Sequence, residues 1–176
     1  MRNLSKLFAI ALVILGIVAG ILVFYPKSID LSIDGVLYRL GEDSFEPVTL
    51  IIQGRVFRSI TGNETFKGII DIDGLKIPVP EEQRYIEAPF SNNSLPIIYD
   101  YYMDNAAYHY SVGTLFCDEN RNKFTILLLE DKDGEPNIKT WNCENGLMIS
   151  APSNDKNEGM NVSKQLLPQE YGVYFK

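Results

Sequence analysis

The hydrophobic positions of the chain follow two different patterns. Residues 7–25 form an unbroken run of nineteen residues without a charged side chain. From residue 26 onward, short stretches of apolar side chains alternate with polar ones. A long continuous run is typical of a helix in a membrane, whereas alternation is typical of strands with one buried face. The pattern therefore predicts a hydrophobic N-terminal segment followed by a β-rich domain.

The N-terminal run is long enough to cross a bilayer. As a helix, residues 7–25 would span about 28 Å, close to the hydrocarbon thickness of a membrane. The alternative is a cleaved signal peptide, whose apolar region is usually about 7–15 residues long. The best small-residue cleavage site, Val18-Ala19-Gly20, is followed by five more apolar residues. We therefore predict an uncleaved transmembrane anchor whose partner is the lipid bilayer.

The charges beside the run predict its orientation. Arg2 and Lys6 precede it, and cytoplasmic flanks carry an excess of such residues. Residues 1–6 are then a cytoplasmic tip, and residues 26–176 form a domain outside the cell membrane. Gly16 and Gly20 have the spacing that lets two membrane helices pack closely, which would give a weak homodimer. The alternative is that glycine is simply common in membrane helices.

Asp-Gly pairs between alternating runs predict two hairpins in the exterior domain. Asp34-Gly35 separates Ile29–Ile33 from Val36–Leu40, and Asp73-Gly74 divides the run 66–77. An Asp-Gly pair in this setting is the strongest short-range hairpin signal. A further strand is predicted over Val48–Phe57, with a bulge or bend at its glycine.

The sequence of the rest of the domain predicts strands, an irregular stretch and one helix. Four prolines between residues 78 and 96 predict irregular structure, because proline lacks the donor that a ladder needs. Strands are predicted over Tyr108–Phe116 and Lys123–Leu129, with short ones near residues 138–141 and 147–149. A C-terminal helix would begin after Ser153 or Asn154 and stop at Pro168. Residues 99–107 could form a second short helix.

Together these elements predict an α+β fold that is mainly β. We expect a single domain over residues 26–176 with seven to nine strands and one C-terminal helix, preceded by one transmembrane helix. The 151 residues are enough for one hydrophobic core.

Charge and composition exclude several classes of function. The exterior domain has 14 basic and 23 acidic residues, a net charge of −9, which is unfavourable for binding nucleic acid. One histidine and two cysteines are too few for multi-ligand zinc or iron–sulfur sites. The acidic turns that begin at Asp71, Asp118 and Asp131 are explained by turn preferences, so no metal or other cofactor is expected.

The two cysteines, Cys117 and Cys143, both lie in the exterior domain. An oxidising exterior permits a disulfide, and the chain has enough cysteines for one pair. We therefore predict that they are bonded. The alternative is two buried free thiols that act as small hydrophobic side chains.

The chain has ten tyrosines, and five of them fall within twelve residues: Tyr99, Tyr101, Tyr102, Tyr108 and Tyr110. Tyrosine offers a large contact area at a low entropic cost, with a hydroxyl group that can orient a partner. These five are our candidate contact surface for an envelope protein or glycan. The alternative is that tyrosine simply suits strands.

Two arrangements would make the domain an enzyme. Thr114-Leu-Phe-Cys117 with Arg121, after an N-terminal anchor, resembles the layout of sortase transpeptidases, which implies Cys117 as nucleophile. Sortases have threonine where Phe116 stands, and His109 is about 26 Å away if both lie on one strand. The other arrangement is a carboxylate-based hydrolase built from residues distant in sequence, such as Asp100 and Glu130.

Three further segments resemble a known group of proteins. They are residues 66–74 (FKGIIDIDG), 113–116 (GTLF) and 146–152 (GLMISAP), the last followed by a polar helix. With the N-terminal anchor, they are similar to small uncharacterised membrane-anchored proteins of Gram-positive bacteria. That resemblance implies a location and a domain type, and it brings no activity.

The sequence thus predicts a membrane-anchored extracytoplasmic binding module, with no catalytic residues assigned. An envelope-acting enzyme and a structural element that dimerises through Gly16 and Gly20 are the alternatives.

Overall fold

The structure is a computed structural model and describes residues 10, 12–16, 20, 24–132 and 138–172. It is mainly β, with helix at the C-terminal end, as predicted. The described strands are β1 (Lys27–Arg39), β2 (Phe45–Arg58), β3 (Glu64–Asp73), β4 (Tyr85–Phe90), β5 (Ser94–Met103), β6 (Ala106–Cys117), β7 (Phe124–Leu128), β8 (Glu130–Asp131), β9 (Lys139–Thr140) and β10 (Leu147–Ala151). The helices are a 3₁₀ turn (Glu81–Gln83), α1 (Lys156–Leu166) and α2 (Gln169–Gly172).

Eight of these strands form one antiparallel sheet in the order β4-β3-β2-β1-β10-β7-β6-β5. Almost every strand pairs with its neighbour in sequence, and β10 returns to pair with β1. The two edge strands, β4 and β5, are joined by the two-residue turn Asn92-Asn93. Because consecutive strands form the two edges, the sheet must curl round on itself. The result is a nearly closed cylinder with a seam between β4 and β5.

The sequence analysis did not predict two tight turns between strands. Asn92-Asn93 and Asp104-Asn105 both have two residues with positive φ, between 50° and 62°. Such pairs form the two-residue hairpin turns whose twist matches that of the flanking strands. Residues 99–107 are therefore not a helix but the end of the β5–β6 hairpin, and the proline-rich stretch contains two strands.

The prolines explain why the seam stays open. Pro89 lies in β4 and Pro96 in β5, the two edge strands. A proline nitrogen cannot donate, so each must face away from the strand with which it pairs, toward the seam. At the other end of β5, the Gln83 side chain accepts from Tyr102 N at 2.7 Å and donates to Tyr102 O at 3.3 Å. Pro89, Pro96 and the Gln83 side chain therefore block both seam edges against further pairing.

The predicted hairpin at Asp34-Gly35 is wrong. Both residues lie inside β1, which runs without a break and keeps one register with β2. A Cβ atom on Gly35 would lie 2.4 Å from Ser150 O and 2.8 Å from Ala151 Cβ. Glycine is present because β10 approaches the backbone closely, not because the chain turns.

The predictions for the other two glycines are also corrected, for two different reasons. Gly74 has a φ of +96° and ends β3, but the chain then leaves the sheet instead of forming a second strand of a hairpin. Gly54 lies in a regular stretch of β2 opposite Gly68. A Cβ atom on Gly54 would lie 2.5 Å from Lys67 O, so this glycine also permits a close backbone approach.

The inside of the cylinder is filled by apolar side chains. Inward residues of β2 to β7 and of β10 form one buried cluster that includes Leu50, Ile70, Ile97, Ile126 and Ile149. The segment between β3 and β4 adds Ile77 and Val79 to the same cluster. Burial of these side chains is the main stabilising contribution to the fold.

Helix α1 covers the outside of β1, β7 and β10. Its N-cap is Asp155, whose side chain accepts from Glu158 N at 2.9 Å, not Ser153 or Asn154 as predicted. Between helix and sheet lie four buried hydroxyl groups, those of Tyr38, Thr125, Ser150 and Ser163, each hydrogen-bonded to at least two others. Burial raises the pKa of Tyr38. The cluster satisfies its own polar groups and fixes where the helix docks.

Much of the predicted anchor lies outside the described residues. Ile10, residues 12–16, Gly20 and Phe24 are helical. Within the described part of the chain, no helix has the length and hydrophobicity needed to cross a membrane. An added Cβ atom on Gly16 or Gly20 would meet nothing within 4 Å.

Candidate contact surface on the β5–β6 hairpin

The β5–β6 hairpin extends beyond the strands beside it. Strands β5 and β6 pair along nearly their whole length, whereas β7 pairs with β6 only over Gly113–Cys117. The register shifts between Ile97 and Ile98, where Val112 is the extra residue of a bulge. Bulges increase twist and bend a strand. Residues on the far side of this bulge, up to the Asp104-Asn105 turn, therefore form a projecting two-stranded ribbon.

The five predicted tyrosines all lie on this hairpin, but they do not form one surface. Tyr99 is completely buried, and its hydroxyl donates to Ile70 O across the cylinder. Burial raises its pKa. Tyr110 is partly buried, with Lys139 Nζ 3.7 Å from its ring centroid. These two tyrosines stabilise the base of the hairpin and are removed from the candidate contact surface.

Tyr101 and Tyr108 lie opposite each other on the two strands. Their rings stack with centroids 5.5 Å apart and an interplanar angle of 27°. Tyr101 is partly buried against the core, whereas Tyr108 is 40% exposed. Cross-strand aromatic pairs stabilise such ribbons, so the stack holds the projecting end in one conformation.

Tyr102 and Met103 present apolar surface at the tip. Tyr102 is 70% exposed and Met103 is 53% exposed. The Gln83 amide holds the backbone of Tyr102, so this side chain projects from a fixed position. On the neighbouring cross-strand pair, His109 Nδ1 lies 2.6 Å from Asp100 Oδ1, and both side chains are exposed. The tip thus combines three exposed large side chains, those of Tyr102, Met103 and Tyr108, with one polar pair.

We define the tip surface as the end of this ribbon, which carries Tyr101, Met103 and Tyr108 on one face and Tyr102 with the Asp100–His109 pair on the other. The contact surface predicted from the sequence contained neither Met103 nor the supporting residue Gln83. The signal that could have found Met103 is the Asp104-Asn105 pair, which is a hairpin turn in a tyrosine-rich alternation. Gln83 lies nineteen residues from Tyr102 in sequence, and only the tertiary structure brings the two together. Rigid, exposed aromatic side chains on a supported hairpin can bind another surface at a low entropic cost.

The two carboxylates considered for acid–base catalysis have different partners. Asp100 is paired with His109. Glu130 accepts two hydrogen bonds from the guanidinium of Arg39, at 2.6 and 2.8 Å. These bonds lower the pKa of Glu130, which disfavours a role as general acid at neutral pH.

Cys117 is poorly placed to act as a nucleophile. Its side chain faces the core and is 3% exposed. Burial raises the pKa of the thiol to about 11, although the nearby Arg121 opposes this shift. His109, by contrast, is exposed and paired with Asp100. The geometry of these residues therefore does not match a sortase-like thiolate–histidine arrangement.

The predicted disulfide between Cys117 and Cys143 is not formed, and both cysteines are free. Cys117 ends β6 opposite Phe124, which lies opposite Ala151 at the end of β10. Leu147 is at the other end of β10, about 13 Å from Ala151 along the strand. Cys143 precedes Leu147, in a turn at that far end.

Contacts of that turn place Cys143 firmly at the opposite end of the sheet. Leu40 N donates to Gly146 O at 3.1 Å, and Arg39 donates to Asn145 O at 2.7 Å. These residues lie at the end of β1 that is remote from Cys117. A disulfide requires Cα atoms within about 7 Å, so its formation would require a large movement of the backbone.

Alkylation with iodoacetamide tests this arrangement. We expect the native full-length protein to gain one adduct, on the partly exposed Cys143, and the unfolded protein to gain two. Prior reduction should change neither number, because no disulfide protects a thiol. Intact-mass measurement reads the result directly. Two adducts that appear in the unfolded protein only after reduction would show that the cysteines are bonded.

Internal contacts hold two of the acidic segments, the turn at Asp118 and the end of β3 at Asp71. Asp118 Oδ1 accepts from Asn122 N and Lys123 N, at 2.6 and 2.9 Å. Asp71 is paired with Arg84 at 2.7 Å. Over the described ranges, no three His, Cys, Asp or Glu side chains come together in a way that could hold a metal ion.

The chain matches no protein-family model, no curated protein sequence and no solved structure.

Proposed function

We propose that the protein is a membrane-anchored binding module of the cell envelope. Residues 7–25 hold it in the cell membrane, and residues 26–176 lie outside with the tip surface directed toward a partner protein. The host in this proposal is a Gram-positive bacterium, in keeping with the resemblance of three sequence segments.

The observation that carries the proposal is the exposed apolar tip of the β5–β6 hairpin. Tyr102, Met103 and Tyr108 are 70%, 53% and 40% exposed, at the end of a ribbon that extends past its neighbours. Keeping such side chains in water costs free energy unless a partner covers them. The Tyr101–Tyr108 stack and the Gln83 contacts hold them in place, which lowers the entropic cost of binding.

Site-specific photocrosslinking in cells tests the proposal. Tyr102 is replaced by p-benzoylphenylalanine in the full-length protein, which is then irradiated, extracted in detergent and analysed by mass spectrometry. We expect one reproducible adduct with a defined envelope protein. Replacing Tyr101 and Tyr108 by serine in the same chain should reduce that adduct about tenfold or more, because aromatic anchors dominate binding energy.

Ile60 provides the matched control. It is 91% exposed and lies in the turn between β2 and β3, away from the tip surface. The photocrosslinker at this position should give no such adduct. Equal adducts from positions 60 and 102, or an adduct that persists after the serine replacements, would contradict the assignment of the tip as the contact surface.

A further inference from the structure

The first half of strand β1 has a backbone edge that no described strand covers. Strand β2 pairs with β1 from Lys27 to Tyr38, but β10 pairs with β1 only from Val36 onward. Because β10 is short, the wall of the cylinder is incomplete beside Lys27–Gly35. The described residues across this gap belong to the turn between β6 and β7.

The direction of the open backbone groups follows from one hydrogen bond. Asp34 O accepts from Ser153 N at 3.3 Å, so the polar groups of Asp34 point away from β2. Backbone groups alternate in direction along a strand, and β1 keeps a constant register with β2. The N–H and C=O groups of Ser28, Asp30 and Ser32 therefore point into the gap. No described backbone group pairs with them.

The gap contains a groove in which Ile29 and Leu31 lie among polar residues. Its volume is about 460 Å³, and it is lined by residues 27–31 on one side and 119–122 on the other. Ile29, Leu31 and Ile33 face the core but are only partly buried. Their neighbours on β2, Leu50 and Ile52, are 1% and 3% exposed. The difference arises because a section of wall is missing beside β1.

The lining carries little net charge. Arg121 is paired with Glu64 at 2.6 Å, which leaves Lys27 beside the carboxylates of Asp30 and Glu119, in a domain with a net charge of −9. The groove is therefore suited to an uncharged segment that offers backbone hydrogen bonds and apolar side chains. A glycan cannot supply the alternating N–H and C=O groups that the edge of β1 requires.

We propose that this groove binds an extended peptide segment of a partner protein as an added strand beside β1. The peptide is uncharged and has apolar side chains at alternate positions, which complete the core over Ile29, Leu31 and Ile33. This edge carries no proline, whereas both seam edges are blocked by Pro89 or Pro96. The site is separate from the tip surface.

A second copy of the chain is the less suitable occupant. Pairing of two β1 edges about a two-fold axis makes the strands antiparallel and directs the two N-terminal segments to opposite ends. Two anchors that enter the same membrane cannot adopt that arrangement. This restriction depends on the proposed anchor, and self-association is one of the outcomes that the experiment detects.

The test uses proline at an edge position. Ser32→Pro removes an N–H that points into the groove and leaves the bonds to β2 in place, because proline is tolerated at such edges. Ser32→Ala is the matched control and keeps the N–H. The probe is an acetylated, amidated seven-residue peptide of alternating threonine and valine, added to the full-length protein in lipid nanodiscs.

Amide hydrogen exchange followed by NMR gives the readout. We expect the peptide to slow exchange at Ser28, Asp30 and Ser32 about tenfold or more in the unchanged protein, and at Ser28 and Asp30 to the same extent in Ser32→Ala. Ser32→Pro should weaken binding, with a dissociation constant for the peptide that is about tenfold higher or more. Serine replacements at the tip surface should have no effect on it, which separates this proposal from the proposed function.

Three results would overturn the proposal. They are no slowing at millimolar peptide, equal binding by Ser32→Pro and Ser32→Ala, and slowing that depends on protein concentration without peptide, which indicates self-association. Thermal unfolding confirms that each variant is folded. If Ser32→Pro does not fold, Ser28→Pro makes the same change at another groove-facing position, with Ser28→Ala as its control.

Discussion

Replacing Gly35 by valine is expected to lower the free energy of unfolding by about 3 kcal/mol or more. A Cβ atom there lies 2.4 Å from Ser150 O and 2.8 Å from Ala151 Cβ, and valine adds two more carbon atoms. Both atoms belong to β10, whose backbone cannot move away without losing its hydrogen bonds to β1. Overpacking against backbone in a core is among the most destabilising single changes.

Urea unfolding of the full-length protein, followed by circular dichroism, measures this effect. Ser32→Val is the matched control, because Ser32 lies on the same strand and is exposed. A valine there should change the free energy by about 0.5 kcal/mol or less. A similarly small effect at Gly35 would contradict the close contact with β10 and would restore the hairpin interpretation of Asp34-Gly35.

Replacing Arg84 by methionine is expected to cost about 3 kcal/mol. The guanidinium of Arg84 is paired with Asp71 at 2.7 Å and donates to Val79 O and Ile77 O at 3.0 and 3.2 Å. The side chain is only 12% exposed. Methionine therefore leaves a carboxylate and two carbonyl groups without their partner in a poorly hydrated place.

The control is Lys67→Met, which breaks the exposed pair between Lys67 and Glu87 and should cost about 0–1 kcal/mol. Hydrogen exchange adds a local readout, because Arg84 fastens the segment that carries Ile77 and Val79 into the core. We expect faster exchange in that segment in Arg84→Met and no change in Lys67→Met. Equal costs for the two variants would contradict a structural role for Arg84.

These two residues also show why part of the fold could not be predicted. A glycine after aspartate is compatible with a turn and with a close backbone approach, and only the position of β10 selects the second at Gly35. Arg84 lies in a polar stretch that gives no local signal of burial. Its role depends on Asp71, which is thirteen residues away in sequence.

The tyrosine-rich stretch was predicted in part. Alternation located the strand that contains Tyr108 and Tyr110, and the composition drew attention to the whole stretch. Local sequence could not separate Tyr99, which reaches Ile70 across the cylinder, from Tyr102, which is exposed at the tip. Both are tyrosines of β5, but they are three positions apart and so lie on opposite faces of the strand, of which only one meets the core.

The sequence by itself determined the elements that depend on short-range physics. Alternating hydrophobicity specifies strands because side chains on a strand point to opposite faces, and Pro168 limits the C-terminal helix because proline cannot continue it. The tertiary structure alone decided which strands became neighbours and where the wall of the cylinder stayed open. Cys117 and Cys143 lie at opposite ends of the sheet, and β1 has an uncovered edge, because the register and length of β10 are set by contacts between residues distant in the chain.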